Sequence, residues 1–352
     1  MTPLRIAFVA GTPNARLYRQ DPAFIYRCEN PGLALQDAGH RLSWLHWTAL
    51  RPTDCFDVVV FHRPRFSLAW RALLWWLHRR GAMLVADVDD LVFDPALAKF
   101  SPGVLNGLMP FEKIERQFFS HIRALTCFER VTVSTQPLAE EMHRCLPAAI
   151  VKVLPNAVHA SWRNLVFDSA EEPDVSAPVI TYFPGTRSHD RDFSVYAEGV
   201  ARFLALHPTA RLEVTGPLRF DLSARPGQVV HHEKVPFVEY GKRVRHAWVN
   251  LAPLEDTPFT RCKSALKVLE AGFFGVPTVC SPLPDAERFA SAGALFAPDG
   301  QACFDMLQAL INPAHYAAAT QGLSARVVAE ADVSCVAEEF LQFVNDMPGD
   351  GL

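Results

Sequence analysis

The sequence predicts an α/β chain with two doubly wound parallel sheets, and three observations carry the prediction. Short apolar runs alternate with helical patterns along nearly the whole chain, the signature of parallel strands covered by helices on both faces. The stretch Asp168 to Pro178, acidic, with two prolines and little that packs, divides that alternation into two series. A length of 352 residues with 49% hydrophobic content allows a large core and favours two domains. The division expected is 1–167, 168–326 and a closing segment 327–352.

Composition excludes several classes. A net charge of −4 gives no support for nucleic-acid binding. Eight cysteines without a Cys-x-x-Cys pair argue against a zinc site or a disulfide framework, and fit a reducing cytoplasm. The apolar run Leu4 to Ala10 is too short, and too promptly followed by Gly11 and Pro13, for a signal peptide or a membrane span.

In the first half, Leu4 to Ala10 reads as a strand and Phe24 to Ala38 as a helix ending at Gly39. Asp57 to Phe61 is a buried strand running into His62-Arg63-Pro64-Arg65. Ligands of doubly wound sheets sit beyond the carboxyl ends of strands, so His62 and Arg63 stand where chemistry happens. Ser67 to Arg80 is a helix whose Trp70, Leu73, Leu74 and Leu77 form a core-facing stripe. It also carries Trp75 and Trp76 beside Arg71, His78, Arg79 and Arg80, which leaves peripheral membrane contact open as a second reading. The strand Ala82 to Ala86 delivers Asp87-Val88-Asp89-Asp90 at its carboxyl end. That cluster caps a loop or binds a ligand; a metal site needs more converging oxygens than sequence can show, and none is assigned. Residues 95–110 read as a long loop at the edge of a cleft, Phe111 to Phe128 as an amphipathic helix, and Arg130 to Val133 as a strand. A helix begins at Pro137 with Thr135 or Gln136 near its cap, and Ile150 to Leu154 is the last strand before Pro155-Asn156.

In the second half, Val179 opens a strand that ends in the polar loop Phe183 to Phe193. Strands follow at Arg211 to Thr215 and Gln228 to His231, with a short helix at Pro236 to His246. Between the buried run Ala247 to Ala252 and a strand at Val276 to Cys280 lies the most informative stretch, Arg261 to Pro277. Ala265, Leu266, Leu269 and Phe273 recur there at helical spacing, and Gly275 and Pro277 stop the helix. Its opening turn carries Lys263, Ser264 and Lys267, and its last third Glu270. A helix N-terminus furnished with cations and a hydroxyl holds phosphate, because free N–H groups and the helix dipole point there. A carboxylate two turns on suits the hydroxyls of a ribose or sugar. Val327 to Val344 reads as one closing helix.

This stretch resembles the nucleotide-sugar segment of GT-B glycosyltransferases in the "glycosyl transferases group 1" family, marked by Glu-x7-Glu and a short Gly-x-Pro. Glu270 fits the second glutamate, which in that family holds the donor ribose, and Gly275-Val276-Pro277 fits the ending. Cys262 stands where the first glutamate belongs. The Lys-Ser-x-x-Lys-x-x-Glu variant resembles a branch common in bacterial surface-polysaccharide synthesis. In the loop after Tyr182 the family places an arginine after the glycine and a lysine further on; Thr186 and Asp192 stand there instead. Gly185, Thr186 and His189 resemble the polysaccharide branch, with Arg187, Arg191 and Lys263 as the cations available to a leaving diphosphate. Glu255 and Asp256 are the nearest substitutes for the missing glutamate.

The resemblance implies two Rossmann-like domains facing a cleft, with a last helix crossing back to the first. It further implies a cytoplasmic, retaining, metal-independent enzyme at or near the inner face of the membrane, with no cofactor beyond the nucleotide-sugar substrate. The acceptor expected is a saccharide or lipid-linked glycan, bound through Arg27, Arg63, Asp87, Asp89 and Asp90, with His62, Arg187 and Lys263 at the reacting centre. For Arg27 a plain surface arginine is the competing reading. Two alternatives stay open: a non-catalytic scaffold or sugar-binding partner of the same fold, and a nucleotide-sugar epimerase. A dinucleotide dehydrogenase is disfavoured, since no Gly-x-Gly-x-x-Gly follows the first strand.

Overall fold

The computed structural model describes residues 2–163, 165 and 175–346. Two six-stranded sheets carry the fold, and every strand pair in them is parallel. The first comprises β1 (Arg5–Ala10), β2 (Arg41–His46), β3 (Val58–His62), β4 (Met83–Val88), β5 (Arg130–Val133) and β6 (Ile150–Val153), in the order β2-β1-β3-β4-β5-β6. The second comprises β7 (Val179–Tyr182), β8 (Arg211–Thr215), β9 (Val229–His232), β10 (Val249–Ala252), β11 (Thr278–Cys280) and β12 (Ala294–Phe296), in the order β12-β11-β10-β7-β8-β9.

These orders fix where ligands fit. The first sheet reverses direction between β1 and β3, and the second between β7 and β10, and a crevice opens at each reversal beyond the strands' carboxyl ends. The loops that leave those strands carry His62 and Arg63 in one half, and Gly185 to His189 and Leu254 to Thr260 in the other. Strands such as β1 and β3 are buried along almost their whole length, as sheets covered on both faces require.

Several expectations are corrected. The edge strand β2 was not foreseen, because its residues alternate only weakly and are mostly half-buried. The first helix is interrupted: Pro22–Phe24 and Asn30–Asp37 are α-helical, but Ile25–Glu29 between them is a π-helix, which turns Tyr26 and Arg27 inward. Residues 95–110 are partly ordered into Pro95–Phe100 and Pro102–Leu105. The closing helix is two helices, Leu323–Glu330 and Val333–Asn345, since Asp332 caps the second through Ser334 N–H at 2.8 Å. The acidic stretch placed at the boundary lies largely outside the described residues.

That break is where the chain crosses back. Leu323, Val327 and Ala331 pack in the core of the second sheet, whereas Val333, Ala337 and Phe340 pack in the core of the first. The outgoing crossing runs alongside it, with Val158 N–H donating to Ala331 O at 2.8 Å. Both passages between the halves are therefore tied together at one point.

Candidate functional site

The helix Leu266–Phe273 begins after Ala265, so Lys263 and Ser264 lie in the link that joins it to the short helix Pro258–Arg261, rather than in its first turn. The link is held from the opposite half. Thr135 Oγ1 donates to Cys262 O at 2.9 Å, Asn156 Nδ2 donates to Ser264 Oγ at 2.9 Å, and Lys263 Nζ stands 3.4 Å from Asp90 Oδ1. Cys262 is buried among the apolar side chains of the first half, with Phe259 beside it. At the helix N-terminus Asp285 accepts from Ala265 N–H at 2.7 Å, a position the helix dipole favours for a carboxylate.

Beside this link lies a small open cleft lined by Leu254, Lys263, Ser264, Lys267, Ser281 and Leu283. Two ammonium groups and two hydroxyls converge on it. Burial, and then the neighbouring Lys263, lower the Lys267 pKa. Burial also lowers His189, followed by the positive charges of Lys267 and Lys263, to about 4, so its imidazole is neutral at pH 7. Asp192 accepts from His189 Nδ1 at 2.7 Å and from Glu255 N–H at 2.9 Å, joining the loops at the two sides of the β7/β10 reversal. Its carboxylate thus serves as a tie between these two segments.

Glu270 lies deeper on the same helix, 7% exposed. Tyr26 Oη of the first half donates to its Oε1 at 2.7 Å, and Tyr240 Oη donates to its Oε2 at 2.7 Å. Burial pushes the Glu270 carboxyl up, against the two phenolic hydrogen bonds and Lys267, to about 7. Tyr26 and Tyr240 remain protonated donors, because burial and then the Glu270 charge push both well above the usual phenol range. Sequence reasoning missed both tyrosines. Tyr26 stood in view beside Arg27, but only the tertiary structure brings it to Glu270.

In the first half, Arg27, His62 and Asp87 form a buried network, with His62 fully enclosed. Arg27 Nη2 donates to Asp87 Oδ1 at 2.6 Å, His62 Nδ1 donates to Asp87 Oδ2 at 2.8 Å, and Thr132 Oγ1 donates to Asp87 Oδ1 at 2.7 Å. Burial raises Asp87, but Arg27 and then His62 overcome it and hold the carboxyl well below the usual range. Arg27 is therefore neither a surface arginine nor open to the cleft. His62 Nε2 has no hydrogen-bond partner among the described residues and lies 3.9 Å from Asp89 Oδ1.

At the mouth of the network Arg63 adopts φ +47°, a left-handed backbone uncommon outside glycine. Its guanidinium donates to Asp89 Oδ2 at 2.8 Å and to Asp90 Oδ2 at 2.8 Å. Asp90 thus bridges Arg63 of one half and Lys263 of the other. Among the described residues no group of three or more His, Cys, Asp or Glu is set to hold a metal ion.

The remaining candidates lie at the rim. Gly185 has φ +74°, so glycine suits that turn, and Thr186 stands at the N-terminal boundary of the short turn Arg187–His189. Arg187 pairs with Asp190 at 3.3 Å, and Arg191 Nε donates to Glu255 Oε2 at 2.9 Å. Arg191 N–H also donates to Asn106 Oδ1 of the first half at 3.0 Å. Asp256 is engaged on the surface by Arg261. The two acids closest to the missing glutamate are both paired with arginine.

No protein-family model and no curated protein sequence matches this chain. Solved structures do match it in fold. An alpha-glucosyltransferase in complex with UDP is 11% identical, with a TM-score of 0.68 over 97% of this chain and 99% of that one. Anabaena HepE in complex with UDP-glucose is 13% identical, with a TM-score of 0.59 over 98% and 100%. S. aureus TarM, solved with UDP and alpha-GlcNAc-glycerol, is 9% identical with a TM-score of 0.58 over 82% of this chain, which spans 55% of TarM's length. At such identities the likeness shows the architecture alone: the chain has the GT-B fold of two Rossmann-like halves.

Proposed function

We propose that this chain is a glycosyltransferase that moves a sugar from a nucleotide-sugar donor to a saccharide or lipid-linked glycan acceptor. Residues 168–326 take the donor and residues 1–167 the acceptor. The observation that carries the reading is the open cleft lined by Lys263, Ser264 and Lys267, with Lys263 reaching across to Asp90, which Arg63 holds in the other half. Solved proteins of the same fold that bind UDP or UDP-glucose support the same donor class.

Lys263 and Lys267 neutralise the donor diphosphate as the bond between the anomeric carbon and the diphosphate oxygen breaks. A hydroxyl oxygen of the acceptor forms the new bond to that carbon, and its proton passes to the leaving phosphate oxygen. Charge stabilisation and positioning then supply the acceleration, without a protein nucleophile or a metal and with retention of configuration. Glu270 holds the ribose hydroxyls, which take over the hydrogen bonds now made by tyrosine. Arg187 and Arg191 stand at the rim of the diphosphate site, with Gly185, Thr186 and His189 shaping its wall. Arg63, Asp89 and Asp90 face the acceptor, while His62, Arg27 and Asp87 position them from beneath. The surface-polysaccharide role and the cytoplasmic location follow from the same reading.

A thermal-shift screen against nucleotides and nucleotide sugars, with Lys263→Ala and Glu270→Ala alongside, tests it. Ligand at a hundredfold over its dissociation constant stabilises the native state by about 2.7 kcal/mol. Stabilisation by one nucleotide family, lost in both folded variants, supports the donor site; binding that survives both substitutions removes it. The burial of Cys262 in the opposite half, where the resembled family has a glutamate, favours one second reading: a sugar-nucleotide-binding partner without activity. Retained donor affinity with neither transfer nor hydrolysis identifies that case.

A further inference from the structure

The helix Leu68–Arg79 has two faces of opposite fate. Trp70, Leu73, Leu74 and Leu77 are buried against the first sheet. On the outer face Leu68 is 75%, Trp75 51% and Trp76 48% exposed. The chain holds seven tryptophans, all described, and only these two are exposed. They touch each other edge to face, with ring centroids 5.1 Å apart, and the Arg79 guanidinium lies 4.7 Å over the Trp75 ring.

Charge on this face runs against that of the whole molecule. The chain carries −4, yet no acidic residue occurs between Val58 and Ala86, while Arg71, Arg79 and Arg80 are all exposed on the helix and its end. The acids just before β3 are already engaged: Asp57 pairs with Arg5 at 2.7 Å, and Asp54 accepts from Arg51 N–H at 2.8 Å. At the N-terminal end of the helix, Arg123 stacks 3.8 Å from the Phe66 ring.

We infer that the outer face of this helix docks on an anionic lipid bilayer, with Trp75 and Trp76 at headgroup depth and Arg71, Arg79 and Arg80 on the lipid phosphates. Tryptophan is the side chain suited to that layer, because its ring is apolar and its N–H is satisfied by the wet interface. Arginines around an apolar centre supply the attraction to anionic lipid and keep their own hydration. No helix among the described residues is long and apolar enough to cross a membrane, so such contact is peripheral. The helix runs back from the loop that carries Arg63, and its C-terminal end, where Arg80 Nη2 donates to Cys55 Sγ just before β3, lies away from the cleft.

Co-sedimentation of the full chain with vesicles tests the inference without any donor present. The wild type is expected to pellet with vesicles of phosphatidylcholine and phosphatidylglycerol at a ratio of about 3:1, and to stay in solution with phosphatidylcholine alone. Trp75→Ser/Trp76→Ser and, separately, Arg79→Glu/Arg80→Glu are expected to lower the bound fraction by about tenfold. Both pairs are exposed, so the variants should melt with the wild type, and donor binding read by thermal shift should be unchanged. A wild type that remains in solution with anionic vesicles overturns the inference, as do variants that pellet undiminished. A concentration-dependent dimer that the tryptophan substitutions abolish, with no vesicle binding, assigns the face to a second copy of the chain and overturns it equally.

Discussion

Tyr26 and Glu270 are 244 residues apart in sequence, and the tyrosine hydroxyl donates to the glutamate Oε1 at 2.7 Å across the boundary between the two halves. With Tyr240 on Oε2, both oxygens of a buried carboxylate are satisfied by phenols, one from each half. The Glu270 carboxylate is thus a clamp that holds the halves together.

Glu270 makes stability depend on pH with a definite sign. Its folded pKa is raised to about 7 from 4.5, chiefly by burial, so the folded protein holds a proton that the unfolded chain has released. The contribution is fully present below pH ~4.5 and is lost as pH rises to ~7, a span worth roughly 3 kcal/mol. Denaturant titrations of wild type and Glu270→Gln between pH 5 and 8 check this. The wild type is expected to lose stability relative to the variant across that window, and parallel pH profiles would remove Glu270 as the titrating group.

Tyr26→Phe removes one phenol and leaves a buried carboxylate oxygen unpaired. A hydrogen bond to a charged group contributes about 1.5–3 kcal/mol, so a loss in that range is expected above pH 7 and a smaller one when Glu270 is protonated. Urea unfolding at two pH values measures it. If a ribose displaces the Tyr26 hydroxyl, donor affinity in the variant rises while stability falls.

Arg27→Met strands the Asp87 carboxylate in the interior with only His62 and Thr132 as donors. Breaking a buried pair in this way costs about 3–5 kcal/mol, and the double variant Arg27→Met/Asp87→Leu should recover much of it. Because Asp87 is held below its ordinary value, its stabilisation is present above the usual carboxylate range and is lost as pH falls through the folded value. Acid titration of the wild type and both variants follows that sign.

Gly11→Ala tests the seam between β1 and β3. A Cβ there would stand 2.4 Å from Arg63 O and 2.9 Å from His62 O, and both are backbone atoms that cannot turn aside. A loss of about 1–3 kcal/mol is expected, with the Arg63–Asp90 contact disturbed. Melting temperature reads the first effect. Donor-independent acceptor binding reads the second, and unchanged values for both would mean that the loop relaxes freely.

Much of this architecture is legible in local chemistry. Continuous apolar runs such as Val58 to Phe61 reveal strands covered on both faces, and Ser67 and Thr135 reveal helix starts because their hydroxyls accept from Trp70 N–H and Leu138 N–H. What was misread had weak or misleading periodicity. β2 is an edge strand with polar and apolar residues mixed, and the last two helices share an apolar stripe that runs through their break at Ala331 and Asp332.

By itself the sequence determined the two parallel sheets, the helix that carries Lys267 and Glu270, and the strand ends that present His62, Arg63 and the aspartates, because each depends on spacing within a short segment. Only the tertiary structure decided that Tyr26 meets Glu270, that Cys262 is buried in the opposite half, and that Arg27 is enclosed with Asp87. Those contacts join residues far apart in the chain, and closure of one half on the other, a property of no single segment, is what brings the first two pairs together.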